Sequence, residues 1–271
     1  MMFKKFDPFI IAEAGINHNG KIKEALKLVD AAKNSNVSAI KFQTYITEKR
    51  TKKDSPIFDI LKKCQLKYSD FKIIKDYCDE KKIIFFSTPF DIEAVDFLES
   101  IKVKLFKIAS FDTQNFELIE RIIKTKKPCI FSTGMSDMNS ITNVHNLFKK
   151  KKIETGILHC ISSYPNEEEN SFLSNIKILK QNFKSTIGLS DHTIGIKTSL
   201  YSYILGAKII EKHFKISPSH KCVDSPVSIV PRQMIELVSQ IENFKKIYGS
   251  PKFGIRPKEE FAKAFRRKKI L

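Results

Sequence analysis

Two histidines, His192 and His213, close the last two of a series of short apolar segments in this 271-residue chain. Neutral imidazoles suit a divalent transition metal, and Glu13, at the end of the first such segment, can add a carboxylate oxygen. Lys41 and Lys107 lie in two further segments, accompanied by the hydroxyls of Ser110, Ser132 and Ser190. Ammonium and hydroxyl donors gathered in that way suit a phosphate or a phosphate-carboxylate ligand. Asp112, Tyr164 and Asp224 offer hydrogen-bonding groups to a polyol. Each residue alone has an ordinary structural reading, as a lysine snorkelling at a rim or a satisfied buried polar group. Their recurrence at the same end of successive segments argues for a site, because buried charge is costly unless paired or used. The chemistry indicated is that of a metal-dependent enzyme acting on an anionic, phosphorylated substrate.

The segments that must position these residues are Phe9–Gly15, Ala39–Tyr45, Ile83–Phe90, Leu105–Phe111, Cys129–Gly134, Gly156–Tyr164, Thr186–His192 and Ala207–Phe214. Each begins apolar and turns polar, as in Ser87-Thr88-Pro89, Ser132-Thr133-Gly134, the His159 to Tyr164 stretch, Ser190-Asp191-His192 and Glu211 with His213. Helical periodicity fills the gaps: Leu26, Val29 and Ala32 share a face, and Ile235, Val238, Ile241 and Phe244 form a stripe read as buried. Asn36 ends the first helix, Pro128 precedes the fifth strand, and Pro231 opens the last helix. An extended loop is expected around Lys49–Pro56. Strands alternating with helices predict a parallel sheet, and eight such units predict an α/β fold closed as a (β/α)8 TIM barrel, with catalysis at the C-terminal ends of the strands. An open doubly wound sheet would carry a glycine-rich phosphate loop after its first strand, and Gly15-Ile-Asn-His-Asn-Gly20 is not one.

Composition narrows the setting. Hydrophobic residues make up 42% of the chain, enough for a sizeable core. No apolar run approaches a membrane span, and the basic N-terminus is not followed by a signal-peptide pattern, so a cytoplasmic protein with no membrane partner is expected. Five widely spaced cysteines with no C-x-x-C pair argue against a disulfide framework and a structural zinc site. The net charge of +18 invites a nucleic-acid reading, yet only six of the 48 basic residues are arginines and the lysines are spread throughout. A lysine-rich solvated surface is the simpler account, and its field favours small anions.

The quoted segments also resemble one family. Ile11-Ala-Glu-Ala-Gly-Ile-Asn-His-Asn-Gly20, Ile40-Lys-Phe-Gln-Thr44, Phe86-Ser-Thr-Pro-Phe90, Phe106-Lys-Ile-Ala-Ser110, Ser132-Thr-Gly-Met135, Leu158-His-Cys160 with Tyr164-Pro165, Gly188-Leu-Ser-Asp-His-Thr193 and Glu211-Lys-His-Phe214 resemble the signature blocks of the sialic acid synthases. That group includes N-acetylneuraminate, legionaminate and pseudaminate synthases, and the blocks run in the family's order over roughly residues 8–248. The resemblance implies condensation of phosphoenolpyruvate with an N-acylated amino-sugar aldehyde (an N-acylated hexosamine), giving a nine-carbon α-keto acid and phosphate. It implies a divalent metal, typically manganese (Mn2+), held by His192 and His213 with Glu13 close by as a catalytic group. It places Lys41, Thr88, Lys107, Ser110, Ser132, Ser162 and Ser190 around phosphoenolpyruvate, and Gln43, Asp112, Tyr164 and Asp224 around the sugar.

Some positions depart from the family's pattern. Asp112 stands where N-acetylneuraminate synthases have glutamate, and Ser162 where they have asparagine; both look closer to pseudaminate-type members, whereas the Gly15–Gly20 block looks like the neuraminate and legionaminate types. Residues 1–249 read as the synthase barrel and 250–271 as a basic linker or tail that ends Arg266-Arg267-Lys268-Lys269-Ile270-Leu271. Family members continue into a small antifreeze-like domain that reaches the partner's active site; here it is expected to be absent or supplied by a separate chain, with a barrel-to-barrel homodimer as the expected assembly. Alternatives are a related phosphoenolpyruvate-using synthase with another aldose, and a non-catalytic sugar- or anion-binding barrel.

Overall fold

The computed structural model describes residues 1–267, so Lys268-Lys269 at the basic end lie outside the described residues. Eight strands form one closed parallel barrel in sequence order: β1 (Phe9–Gly15), β2 (Ala39–Thr44), β3 (Ile84–Pro89), β4 (Phe106–Ile108), β5 (Cys129–Ser132), β6 (Thr155–Cys160), β7 (Thr186–Asp191) and β8 (Ile209–His213). This is the (β/α)8 architecture expected from the alternation of segments. The helices are α1 (Ile22–Asn34), α2 (Thr47–Arg50), α3 (Phe58–Cys64), α4 (Tyr68–Glu80), α5 (Ile92–Ser100), α6 (Phe116–Lys124), α7 (Met138–Lys150), α8 (Asn175–Asn182), α9 (Lys197–Ile204) and α10 (Pro231–Tyr248).

Strand alternation divides each strand between two cores. Side chains such as Phe42, Phe106, Ile108, Phe131 and Ile210 point outward and pack under the helices. The alternate residues, Phe9, Ile11, Ala39, Phe86, Leu105, Ile130, Leu158 and Ile209, fill the barrel interior. Burying each of the larger ones contributes about 1.5–3 kcal/mol. Phe3 caps the lower end of this interior, with its ring centroid 5.8 Å from that of Phe9. Its 3-10 turn is anchored where the Phe3 N–H donates to Glu154 Oε1 at 3.0 Å. The interior floor is therefore dry and full, and space opens only toward the C-terminal strand ends.

Three details differ from the sequence reading. The loop expected around Lys49–Pro56 runs over residues 51–57, because α2 takes its first two residues and α3 begins at Phe58. In α10 the buried face is Met234, Leu237 and Ile241; Val238 and Phe244 are half-buried, and Ile235 is 49% exposed, one position off the stripe that packs on the barrel. Strands β4 and β6 are shorter than expected, and this moves several polar residues into loops. Beyond α10, Pro257–Phe265 forms an exposed 3-10 helix with no buried residue. No helix among the described residues is long and apolar enough to cross a membrane.

Candidate active site

Directly above the apolar interior, each strand contributes one more inward residue. Going round the barrel these are Glu13, Lys41, Thr88, Lys107, Ser132, Cys160, Ser190 and Glu211, all buried. They line the floor of a cavity of about 210 Å³ whose upper wall carries Gln43, Arg50, Phe90, Ser110, Phe111, Tyr164, His192, His213 and Asp224. The local sequence explains the change from floor to site: the strands run apolar until one turn below their ends, then the inward positions become polar.

The floor is a charge network. Glu211 Oε1 accepts from Lys107 Nζ at 3.1 Å and from Ser190 Oγ at 2.9 Å, while Glu211 Oε2 lies 3.7 Å from Lys41 Nζ. Lys41 Nζ also lies 2.7 Å from Glu13 Oε2 and donates to Thr88 Oγ1 at 3.1 Å. Burial would raise the pKa of Glu211, and the two ammonium groups outweigh it, so that carboxylate is held below the usual range. Glu13 goes the other way: desolvation dominates, with Glu211 adding repulsion, and its pKa is raised despite Lys41. Two neighbouring carboxyl groups are thus pushed apart, one fixed as an anion and one fit to exchange a proton. Burial opposes the charge on Lys41, but Glu13 and Glu211 raise its pKa, so it stays an ammonium. Ser132 Oγ is buried without a hydrogen-bond partner and is free for a ligand.

The two histidines meet as their strand positions require. Ser190 pairs in register with Glu211 inside the barrel, and Asp191 with Lys212 outside it, so the next inward residues, His192 and His213, stand side by side. Their ring centroids are 5.3 Å apart, and the Tyr164 ring lies 4.0 Å from that of His192. His192 Nδ1–H donates to the Ile161 carbonyl at 2.7 Å, which leaves Nε2 as a lone-pair donor. His213 Nδ1 faces Asp224 Oδ2 at 3.4 Å without closing a hydrogen bond. Burial works against charge on His213, and Asp224 and Glu13 prevail to raise its pKa; Asp224, resisting its own desolvation, is lowered by His213, His192 and Arg50. Among the described residues no group of three or more histidine, cysteine or carboxylate side chains stands ready to hold a metal ion. The two imidazoles, one with its tautomer fixed by a backbone carbonyl, suit an open site in which substrate and water complete the shell.

Two residues of the first turn hold this arrangement. Gly15 has φ +51°, and a Cβ there would lie 3.2 Å from Glu13 Oε1, 3.3 Å from Asp224 Oδ2 and 3.4 Å from Gln43 Nε2. Asn17 accepts from the Asp224 N–H at 3.1 Å and donates to the Phe214 carbonyl at 2.9 Å and to Ser228 Oγ at 3.0 Å, pinning the loop that brings Asp224 over the cavity.

The structure brings most of the sequence-derived residues to one cavity: Glu13, Lys41, Gln43, Thr88, Lys107, Ser110, Ser132, Tyr164, Ser190, His192, His213 and Asp224. Two are not part of its lining. Asp112 sits in a 3-10 turn, Ser110–Asp112, which breaks the strand alternation after β4; it accepts from Asn115 at 3.2 Å while Phe111 lines the cavity instead. Ser162 follows the end of β6 and lies behind Gly134, where an added Cβ would come within 2.3 Å of its hydroxyl. His159 and Asp191, among the polar strand ends, face outward: His159 Nε2–H donates to the Ser171 carbonyl at 2.7 Å, and Asp191 pairs with Lys212 at 3.2 Å. Four further residues serve the site beyond those the sequence points to: Glu211, Cys160, Arg50 and Asn17. Alternation along β6 and β8 signals the first two, since Cys160 and Glu211 occupy the inward position above Leu158 and Ile209.

The chain is also similar to known proteins over most of its length. Residues 28–253 match the model of the NeuB family. An uncharacterized protein of Methanocaldococcus jannaschii is 42% identical over 89% of this chain and 72% of its own length. The N,N'-diacetyllegionaminic acid synthase of Campylobacter jejuni is 34% identical over 89% of this chain and 77% of its own. Among solved structures, the N-acetylneuraminic acid synthetase of Leptospira borgpetersenii, determined with citrate, superposes with a TM-score of 0.90 at 36% identity, covering 96% of this chain and 91% of that one. A barrel with a lysine–glutamate floor beneath two adjoining histidines, matched over most of its length by these relatives, belongs to the NeuB family.

Proposed function

We propose that this chain condenses phosphoenolpyruvate with an N-acylated amino-sugar aldehyde, forming a nine-carbon α-keto acid and releasing phosphate. The observation that carries this reading is the floor of Lys41 and Lys107 interleaved with Glu13 and Glu211 in a barrel of the NeuB family. The two ammonium groups, with the hydroxyls of Thr88, Ser110, Ser132 and Ser190, suit the carboxylate and phosphate of phosphoenolpyruvate. Gln43, Tyr164 and Asp224 line the upper wall, where the aldehyde would be held.

In the reaction the C3 carbon of phosphoenolpyruvate attacks the aldehyde carbon, whose oxygen becomes a hydroxyl. Water adds at C2, and phosphate leaves with cleavage of the C2–O bond. Glu13, its pKa raised by burial, suits transfer of the proton shed by that water, and the new hydroxyl takes one up. Glu211 holds both lysines in place and stays ionised. His192 and His213 would hold a divalent ion, manganese in this reading, which when bound supplies Lewis acidity toward the aldehyde oxygen.

The test is phosphate release by purified protein supplied with manganese, phosphoenolpyruvate and a panel of N-acylated hexosamines. Release that requires one of these sugars is expected. Release without any sugar, or none across the panel from protein that binds manganese, would sink the reading.

A further inference from the structure

The cavity contains one cation that no carboxylate pairs with. Lys41 and Lys107 are balanced by Glu13 and Glu211. Arg50 has no ion-pair partner among the described residues, although its guanidinium is half-buried in the cavity wall. It is also held still. Its Cζ lies 3.7 Å from the centroid of the Phe90 ring and 4.6 Å from that of Tyr45, and Nη1 donates to Gln43 Oε1 at 3.0 Å. Gln43 Nε2 in turn reaches Glu13 Oε1 at 3.5 Å.

The backbone that delivers Arg50 is fixed from three sides. Asp91 accepts from the Ile46 N–H at 2.8 Å, tying the segment after β2 to the start of α5. Gln65 Oε1 accepts from the Thr47 N–H at 2.9 Å and from its hydroxyl at 2.7 Å. The Tyr45 hydroxyl donates to the Leu61 carbonyl at 2.9 Å. A planar fork with five N–H donors, braced on its faces and one edge, has little freedom left to lose on binding.

The surroundings select the ligand group. A phosphate dianion calls for several converging cations, and Arg50 is alone on this wall; the nearby acidic groups, Asp112 and Asp224, would repel it. Phe90 lies against the guanidinium, and Phe111 adds apolar surface to the same cavity. One fork of donors beside aromatic walls fits an uncharged amide: its carbonyl oxygen on the guanidinium, its alkyl end against the rings.

We infer that Arg50 is a specificity-determining residue that binds the acylamino group of the aldehyde substrate. The inference rests on the condensation proposed above and adds the group that reads the sugar. The experiment compares Arg50→Ala, Arg50→Lys and the parent protein, with the best N-acylated hexosamine of the panel and the same sugar bearing hydroxyl in place of acylamino (for N-acetylmannosamine, mannose). Phosphate release is followed while each substrate is varied. The expected result in Arg50→Ala is a KM for the acylated sugar raised about ten- to a hundredfold, with the KM for phosphoenolpyruvate within about twofold of the parent. The penalty for removing the acyl group, large in the parent, should largely vanish in the variant. An equal loss with both sugars, a raised KM for phosphoenolpyruvate, or full recovery in Arg50→Lys would each overturn the assignment. A parent protein that turns over no sugar in the panel fails the condensation reading itself, a result separable from all of these.

Discussion

Lys107 Nζ lies 3.1 Å from Glu211 Oε1 at the floor of the cavity, with both side chains almost completely buried. Neither would be stable there alone, because an unpaired buried charge costs far more than the pair returns. Glu211→Gln keeps the shape and leaves Lys107 without a carboxylate. The variant should lose about 3 kcal/mol of stability in urea unfolding. Its kcat should fall at least about tenfold, as the two lysines lose their shared anchor. The KM for phosphoenolpyruvate should not rise, since a negative charge has been removed beside an anion. A rise in that KM with unchanged stability would mean that Glu211 faces substrate rather than holding the lysines.

The paired imidazoles give a second expectation. Chelation should abolish turnover, and manganese should restore it. His213→Ala should weaken manganese binding, followed by the ion's paramagnetic resonance signal, by at least about a hundredfold. The unfolding midpoint should stay near that of the parent, because β8 keeps its register through Asp191 and Lys212. Undiminished manganese binding in the variant would remove His213 from the ligand set.

Stability should also respond to pH through a residue outside the reaction. His18 is buried against Phe42, and its Nδ1 accepts from the Gly20 N–H at 3.2 Å. Burial lowers its pKa to about 4. The unfolded chain binds a proton more readily, with an ordinary value of 6.5, so the neutral ring stabilises the fold fully above that pH. As pH falls from 6.5 to about 4 this contribution is lost, and below about 4 the loss levels off because the folded form protonates as well. The total is about 3 kcal/mol. His18→Gln should remove that part of the acid slope when unfolding is compared at pH 7, 5.5 and 4.5. Parallel curves for parent and variant would show that His18 is not the linked group.

Much of the fold was legible because a closed parallel barrel repeats one local rule. Apolar inward residues such as Ile11, Leu105 and Ile209 precede polar ones, Glu13, Lys107 and Glu211, two positions on. The same rule could have sorted His159 outward and Cys160 inward. It fails where strands stop early. Asp112 is displaced because the chain turns at Ser110, and Ser162 because β6 ends at Cys160. Glu211 was visible as a polar strand residue, but its role depends on Lys41 and Lys107, which are distant in sequence and adjacent only once the barrel closes. Arg50 was not legible at all. Its place depends on Asp91, Gln65 and Phe90 holding the short helix α2, and no periodicity encodes that.

The ion pair of Asp191 and Lys212 lies on the outer surface of the sheet, where Asp191 Oδ2 also accepts from Ser199 Oγ of α9 at 2.5 Å. It lies outside the cavity, yet it joins β7 to β8 at the register pair immediately before His192 and His213. Inactivating mutations in this chain should therefore map to two separate layers, one around the mouth and one beneath the helices. A screen for lost activity would recover Asp191 and Lys212 alongside residues that touch the reactants, and only a measurement of folding would tell the two groups apart.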